Sequence, residues 1–129
     1  MIIDTSALVA VLFGEPERDM FIQVILKAEV CRLSVANFLE LSMVVEGQLG
    51  PDGARQADAF LRRAGVLIEP VTVEQGHLAR QAFLDYGKGR HKAALNFGDC
   101  FAYALAKAAD EPLLFKGEDF ARTDLRAAA

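Results

Sequence analysis

Four acidic residues of this chain lie within apolar segments, where an unpaired charge is unfavourable. They are Asp4, Glu40, Asp99 and Asp119. Asp4, for example, joins the apolar segment 1–3 to the apolar segment 7–13. A carboxylate buried without a partner costs several kcal/mol or becomes protonated. A cation shared by all four acids would remove that cost.

Such a set of carboxylates has a definite chemistry. Hard divalent cations such as Mg²⁺ and Mn²⁺ prefer oxygen ligands, and three or four carboxylates suit one or two of these ions. Two ions about 3.5–4 Å apart can stabilise both the attacking and the leaving oxygen of a phosphodiester displacement. Metal-activated water is then the nucleophile, and no nucleophilic side chain is required. Thr5 and Ser6, which follow Asp4 directly, are candidates for holding a ligand carboxylate or a water in place.

Each acid also has a simpler explanation. Asp4 and Asp99 could cap or charge-stabilise the starts of helices. Glu40 could be a solvated position on an amphipathic helix. The last acid has two rivals for its role, Glu118 and Asp124. Capping and metal binding are compatible, because one carboxylate oxygen can cap while the other binds a metal.

The elements that must position these acids are short apolar strands that alternate with helices. Strands are predicted at 2–4, 30–34, 66–71 and 113–115, and a turn at 50–53. Helices are predicted at 6–13, 15–28, 35–48, 54–64, 73–86 and from 96 or 98 to 109. The pattern predicts an α/β fold with a parallel β-sheet of four to five strands sandwiched by helices. The helix at 15–28 is expected to bury Met20, Ile22, Val24 and Ile25, with Phe21 as a further candidate.

This topology would bring the acids together. Right-handed crossovers place the carboxyl ends of all strands at one edge, where open α/β sheets bind their ligands. Asp4 ends the first strand, and Asp119 follows the fourth strand by a few residues. Glu40 and Asp99 stand in the first turns of helices that leave the same edge. We therefore expect the four carboxylates to converge.

Length and composition favour one globular domain covering residues 1–129. The chain is 53% hydrophobic and 25% charged, with no repeat or linker. No uncharged apolar run approaches the roughly 18 residues of a membrane span, and no basic leader precedes the first one. Cys31 and Cys100 lack metal-ligand spacing and are expected to be reduced thiols, which indicates the cytoplasm. The net charge of −4 argues against a nucleic-acid partner unless bound metals reverse the local sign.

Four motifs give the chain a family resemblance. They are Met-Ile-Ile-Asp-Thr-Ser-Ala at 1–7, Asn-Phe-Leu-Glu at 37–40, Leu-Asn-Phe-Gly-Asp-Cys-Phe-Ala-Tyr-Ala at 95–104 and Leu-Leu-Phe-Lys-Gly-Glu-Asp-Phe at 113–120. In order and spacing they resemble the PIN-domain ribonucleases, and more narrowly the VapC toxins of bacterial toxin–antitoxin pairs. The resemblance covers the whole chain and implies a single PIN-like domain.

The resemblance implies an Mg²⁺- or Mn²⁺-dependent endoribonuclease that a VapB-type antitoxin holds inactive. It also implies a homodimer and a toxin–antitoxin hetero-oligomer. Asp4, Glu40 and Asp99 correspond to the family's acidic triad, and Asp119 is the best candidate for its fourth acid. The family's fourth acid commonly follows a Thr-Arg-like or Thr-Gly-like step, whereas here Lys-Gly precedes two adjacent acids. Helices between residues 15 and 48 could supply an antitoxin groove for an amphipathic helix.

Basic residues near these motifs are candidates for contact with RNA phosphates: Arg90, Lys92, Lys116 and Arg122. For the glycine-containing segment 87–92, a plain solvated turn is the alternative. His77 and His91 lie in polar surroundings and are expected to be solvated or to face phosphate rather than to catalyse.

Other functions compete with the nuclease. An aspartate-nucleophile phosphohydrolase would use Asp4, but its commonest family needs a second aspartate two residues on, where Ser6 stands. A receiver-like binding module would need paired acids at the first strand end, and Asp4 is alone there. A non-catalytic PIN-like partner-binding domain is the third alternative, and the presence of all four acids argues against it.

Overall fold

One parallel sheet organises the molecule. The computed structural model describes all residues from 1 to 129. Its strands are β1 (Ile2–Ile3), β2 (Arg32–Ser34), β3 (Leu67–Glu69) and β4 (Leu113–Leu114), in the spatial order β3-β2-β1-β4. All three strand pairs are parallel, and a bridge from Leu113 to Ala127 extends the β4 edge. The predicted parallel sheet is confirmed.

Five helices and a terminal 3₁₀ turn complete the fold. They are α1 (Thr5–Leu12), α2 (Arg18–Lys27), α3 (Val35–Arg63), α4 (Val73–Tyr86), α5 (Phe97–Ala109) and the turn Phe120–Arg122. Side-chain caps begin four of the helices, from Asp4, Ser34, Thr72 and Asn96. Polar residues before apolar runs therefore set most of the helix starts. No helix is both long enough and apolar enough to cross a bilayer.

The helix α3 continues through the segment where a turn was predicted. Its 29 residues are interrupted at Gly50 alone, whose φ of 69° lies in the left-handed region. Pro51 then occupies the first turn of the second half, where its missing N–H costs no helical hydrogen bond. The predicted four-residue turn at 50–53 is therefore wrong in extent, because a single glycine makes the bend.

The helices cover both faces of the sheet. Ile3 and Leu114 face α1, α2 and α3, whereas Ile2 and Leu113 face α4 and α5. Successive strand residues point to opposite faces, so these very short strands supply both halves of the core.

One predicted core position is wrong. Met20 is 51% exposed, whereas Phe21 and Ile25 of the same helix are buried. Residues four apart share a helix face, so these two define the buried side of α2 and turn Met20 to the solvent.

Candidate functional site

Asp4 lies where the sheet changes direction. The chain builds β2 and β3 on one side of β1 and then returns to add β4 on the other side. The crevice beyond the carboxyl ends of β1 and β4 is therefore the topological switch point, the usual ligand site of open α/β sheets. The Asp4 N–H donates to the Leu114 carbonyl at 2.9 Å, and Asp4 Oδ2 accepts from the Ser6 N–H at 3.0 Å. Asp4 thus caps α1, as its simpler explanation held.

Burial makes the Asp4 carboxyl group unusually reluctant to ionise. The residue is 3% exposed, and desolvation raises its pKa from 3.8 to about 7. Hydrogen bonds from Ser6 oppose this rise in the pKa, whereas the negative charges of Asp99 and Glu40 add to it. None of the ion pairs in the molecule includes Asp4. The hydrogen bonds that cap α1 therefore do not offset the desolvation cost of ionising Asp4.

Glu40 reaches the site from the first half of α3. Its Oε1 accepts hydrogen bonds from Thr5 Oγ1 at 2.5 Å and from Asn37 Nδ2 at 3.3 Å. The Asn37 amide also donates to the Gly98 carbonyl at 3.0 Å. The Glu40 carboxylate is therefore held between the start of α1 and the start of α5. Thr5, a predicted supporting residue, contacts Glu40 and not the adjacent Asp4.

Asp99 combines two roles at the start of α5. It forms a reciprocal capping box with Asn96: the Asn96 N–H donates to Asp99 Oδ2 at 3.0 Å, and the Asp99 N–H donates to Asn96 Oδ1 at 2.9 Å. Desolvation raises the pKa of Asp99, the Asn96 backbone opposes the rise, and the charges of Asp119 and Glu40 add to it. The predicted capping role is present, and so is electrostatic contact with two other acids.

Asp119 is exposed and directly precedes the 3₁₀ turn. Its segment is tied to the site by the Lys116 N–H, which donates to Ser6 Oγ at 3.0 Å. Asp124, one of its rivals, accepts instead from Tyr103 Oη at 2.7 Å and Lys107 Nζ at 2.8 Å. Asp119 is the acid whose charge acts on Asp99, which favours it over Asp124 as the fourth member.

The structure places the acids close enough for their charges to interact, but it does not arrange them as a preformed metal site. The negative charges of Asp99 and Glu40 raise the pKa of Asp4, and those of Asp119 and Glu40 raise the pKa of Asp99. No three acidic, histidine or cysteine side chains are gathered closely enough to hold a metal as a preformed set. Glu40 is drawn to Thr5 and Asn37, and Asp99 to Asn96, so each carboxylate is tied to the protein by one oxygen.

The predicted RNA-contacting cations have varied surroundings. Lys116 Nζ pairs with Glu15 at 2.5 Å and with Glu17 at 3.3 Å. Arg122 Nη1 donates to the Lys92 carbonyl at 3.3 Å, which places those two residues together. The Arg90 guanidinium lies 5.3 Å from the ring centre of Phe83 in α4.

The histidines make local contacts. His91 Nδ1 accepts from the Ala93 N–H at 3.0 Å, and His77 contacts Arg80 on the exposed face of α4.

Sequence reasoning missed two residues of this site, Asn37 and Gly98. Asn37 is 0% exposed and contacts both Glu40 and the backbone of α5. A polar residue inside the apolar segment 33–41, one helical turn before Glu40, was the available signal. Nothing in the sequence marks Gly98, because its importance depends on a contact between distant helices.

Comparisons with known proteins agree with this architecture. The family model of the PIN domain matches residues 1–125. Ribonuclease VapC30 of Mycobacterium tuberculosis is 47% identical over 129 residues, covering 100% of this chain and 98% of that protein. Ribonuclease VapC of Mycolicibacterium smegmatis is 48% identical over 127 residues, covering 98% of each.

Two solved structures share the fold at low sequence identity. The Mycobacterium tuberculosis toxin VapC20, described as cleaving the sarcin–ricin loop, has a TM-score of 0.78 and 18% identity, covering 96% of this chain and 95% of its own. VapBC2 of Rickettsia felis, bound to a DNA fragment from its promoter, has a TM-score of 0.77 and 14% identity, covering 98% and 94%.

Proposed function

Because the chain belongs to the PIN-domain family and to its VapC proteins, we propose that it is a divalent-metal-dependent endoribonuclease toxin neutralised by a VapB-type antitoxin. One observation carries the proposal: Asp4 is buried at the switch point of the sheet, beside two other acids and without an ion pair. A fold that needed only a helix cap could use a neutral asparagine there. The retained charge is therefore best explained by a cationic ligand.

The residues present fit Mg²⁺ or Mn²⁺. All the candidate ligands are hard carboxylate oxygens, and neither cysteine nor histidine stands among them. Asp4, Glu40 and Asp99 would hold the ion, and Asp119 would complete the set from the exposed side. No hydrogen bond from the chain reaches Glu40 Oε2 or Asp99 Oδ1. Each of these carboxylates therefore keeps one oxygen for a ligand.

The chain's own residues set up hydrolysis in two ways. Ser6, Thr5 and Asn96 each fix one oxygen of a neighbouring acid. The walls around Asp4 exclude water and strengthen local electrostatics. A divalent cation held by these acids would supply the remaining chemistry, by lowering the pKa of water and stabilising the charge that develops on the phosphodiester. The products are expected to carry 5′-phosphates.

Exposed cations beside the site are proposed to contact RNA phosphates. Lys92 and Arg122 lie together, and the Arg122 N–H donates to the Asp119 carbonyl at 3.3 Å. Both would attract a phosphate backbone to the side of the site where Asp119 is exposed. Lys116 is the weaker candidate, because Glu15 and Glu17 already neutralise it. Arg90 would act further out, next to Phe83.

The antitoxin is proposed to occupy a cleft between α1, α2 and the second half of α3. This cleft has a volume of about 830 Å³, and apolar side chains including Leu12, Ile22 and Phe60 line it. Among the charged lining residues, Arg18, Arg55 and Arg63 outnumber Asp52, which pairs with Arg55. An amphipathic helix that presents acidic residues beside its apolar face fits this combination. The sequence predicted a groove between residues 15 and 48. Of that segment the proposed cleft uses only α2, and its other walls are α1 and the second half of α3.

The homodimer is also a proposal. A second groove, of about 550 Å³, lies between α4 and α5 and contains Phe83, Phe97 and Phe101. Phe97 is 82% exposed, and exposed apolar groups of this size commonly mark protein contacts. A second copy of the chain is the proposed occupant, and light scattering of Phe97→Glu beside the wild type tests it. A wild-type monomer would contradict this part.

The test of the main proposal is cleavage of a panel of RNAs by the purified chain with Mg²⁺ or Mn²⁺. We expect cleavage to stop with a chelator and in Asp4→Asn, which keeps the size and the capping ability of Asp4. Asp58→Asn, at an exposed position of α3, is the matched control and should cleave normally. Cleavage that persists with a chelator, or in Asp4→Asn, would refute the proposed metal-dependent nuclease.

A further inference from the structure

The backbone of Gly98 lies directly against the carboxylate of Glu40. A methyl group added at Gly98 would be 2.7 Å from Glu40 Cδ and 2.8 Å from Oε1, and closer still to Oε2. Ordinary van der Waals contact of a Cβ atom begins at 3.4 Å. No side chain at position 98 is therefore compatible with the observed position of Glu40.

Asn37 forms hydrogen bonds with both partners of this contact. Its amide donates both to Glu40 Oε1 at 3.3 Å and to the Gly98 carbonyl at 3.0 Å. The residue is fully buried, and its Oδ1 has no hydrogen-bond partner in the protein. A buried amide left half-satisfied lowers stability. Its bonds to Glu40 and Gly98 thus join α3 to α5 at some cost to the fold.

Helix stability alone does not require glycine at position 98. Gly98 is in the first turn of α5 and does not have a positive φ, so alanine would be at least as favourable there. The atoms that block a methyl group belong to the flexible end of Glu40 and not to backbone. An alanine could therefore be accommodated by displacing the Glu40 carboxylate, and the gain from alanine in a helix would offset the loss of the hydrogen bonds from Thr5 and Asn37.

We propose that Gly98 is a positioning residue that admits the Glu40 carboxylate to the acidic site, where Asn37 and Thr5 hold it. This inference rests on the proposed function, in which Glu40 is a metal ligand. Stability and function then oppose each other at this position. The fold would accept alanine at position 98, whereas the site requires a residue without a side chain there.

The test compares Gly98→Ala with Gly47→Ala. Gly47 is an exposed glycine of α3 whose added methyl group would meet nothing within 4 Å, so it is a matched control for the helix effect. We expect both variants to keep or raise the melting temperature. Gly98→Ala alone should weaken Mn²⁺ binding, measured by titration calorimetry, by about 10–100-fold. It should also lower kcat while leaving the KM for RNA unchanged.

A double-mutant cycle shows whether Gly98 acts through Glu40. In a Glu40→Ala background the obstruction is absent, so adding Gly98→Ala should not weaken Mn²⁺ binding further. Binding by Gly98→Ala equal to that of the wild type would overturn the inference. An equal further loss in the Glu40→Ala background would overturn it as well.

A third readout separates this inference from the proposed function. If the wild type neither binds Mn²⁺ nor cleaves RNA, the proposed function fails. The positioning inference is then decided by carbon-13 NMR of the Glu40 carboxyl group and the Thr5 methyl group. Both signals should shift in Gly98→Ala and stay unchanged in Gly47→Ala, and unchanged signals in Gly98→Ala would refute it.

Discussion

Replacing Asp4 by asparagine should stabilise the protein at alkaline pH while abolishing its activity. Asparagine matches aspartate in size and accepts the same hydrogen bond from the Ser6 N–H. What it removes is the charge, which is buried beside Asp99 and Glu40. The variant therefore isolates the cost of ionising Asp4 from the benefit of capping α1.

The size and sign of the effect follow from the raised pKa. Burial raises the pKa of Asp4 from 3.8 to about 7, so between these values the folded state binds more protons than the unfolded state. Stability then falls as the pH rises through this window and is constant above it. One pKa unit corresponds to about 1.4 kcal/mol, so full ionisation costs about 4 kcal/mol. Between about pH 5 and pH 8.5 the free energy of unfolding of the wild type should fall by about 2–3 kcal/mol through the ionisation of Asp4. The Asp4→Asn variant lacks this ionisation and should not show that decrease.

The assays are urea unfolding, which gives the free energy, and thermal unfolding, which gives the melting temperature, of the metal-free protein, both followed by circular dichroism across this pH range. At about pH 8.5 the melting temperature of Asp4→Asn should exceed that of the wild type by roughly 10 °C, with a smaller difference at about pH 5. Asp58→Asn, at an exposed position, should follow the wild-type curve. If the stability of the wild type and of Asp4→Asn changed equally with pH, Asp4 would not be the buried, reluctantly ionised group described.

Three further outcomes are expected. Thr5→Val, which keeps the shape of the side chain but loses the donor to Glu40 Oε1, should lower cleavage by about 10–100-fold. Its free energy of unfolding should change by about 1 kcal/mol, and urea unfolding checks this. Mn²⁺ should raise the melting temperature more at about pH 8.5 than at about pH 5, because Asp4 must be ionised to bind it. A thermal shift independent of pH would contradict this. Lys116→Ala, which removes the pairs with Glu15 and Glu17, should change the free energy of unfolding by less than about 1 kcal/mol.

Local patterns were sufficient to predict most of the fold. The run Leu113–Leu114 follows a turn and is apolar, and α4 begins and ends at the predicted residues 73 and 86. One error arose where packing against neighbouring elements decides the outcome, and another from the conformation of a single residue. Met20 is apolar but lies on the side of α2 that the core does not reach. At Gly50, one residue with positive φ makes a bend that a cluster of turn formers had suggested would be longer.

The candidate acids and the adjacent Thr5 and Ser6 stand out in the sequence, whereas the contacts that Asn37 and Gly98 make with Glu40 do not. Asp4 and Asp99 stood out because charges interrupted apolar segments. The bond from Asn37 to Gly98 spans 61 positions, and the pair of Lys116 with Glu15 spans 101. Contacts of that range depend on how the helices are arranged on the sheet, which no local pattern specifies.

The two sides of the site are expected to differ in rigidity, because Asp4 is buried and Asp119 is exposed. Asp4 extends the central strand β1 and is almost fully buried, whereas Asp119 is exposed on a segment that ends in a single 3₁₀ turn. We expect amide hydrogens around Asp4 to exchange only when the whole domain opens, and those around Asp119 to exchange by local fluctuation. If the site binds a divalent ion as proposed, ions of different radius would be accommodated by movement of the Asp119 side alone, while Asp4 would stay fixed.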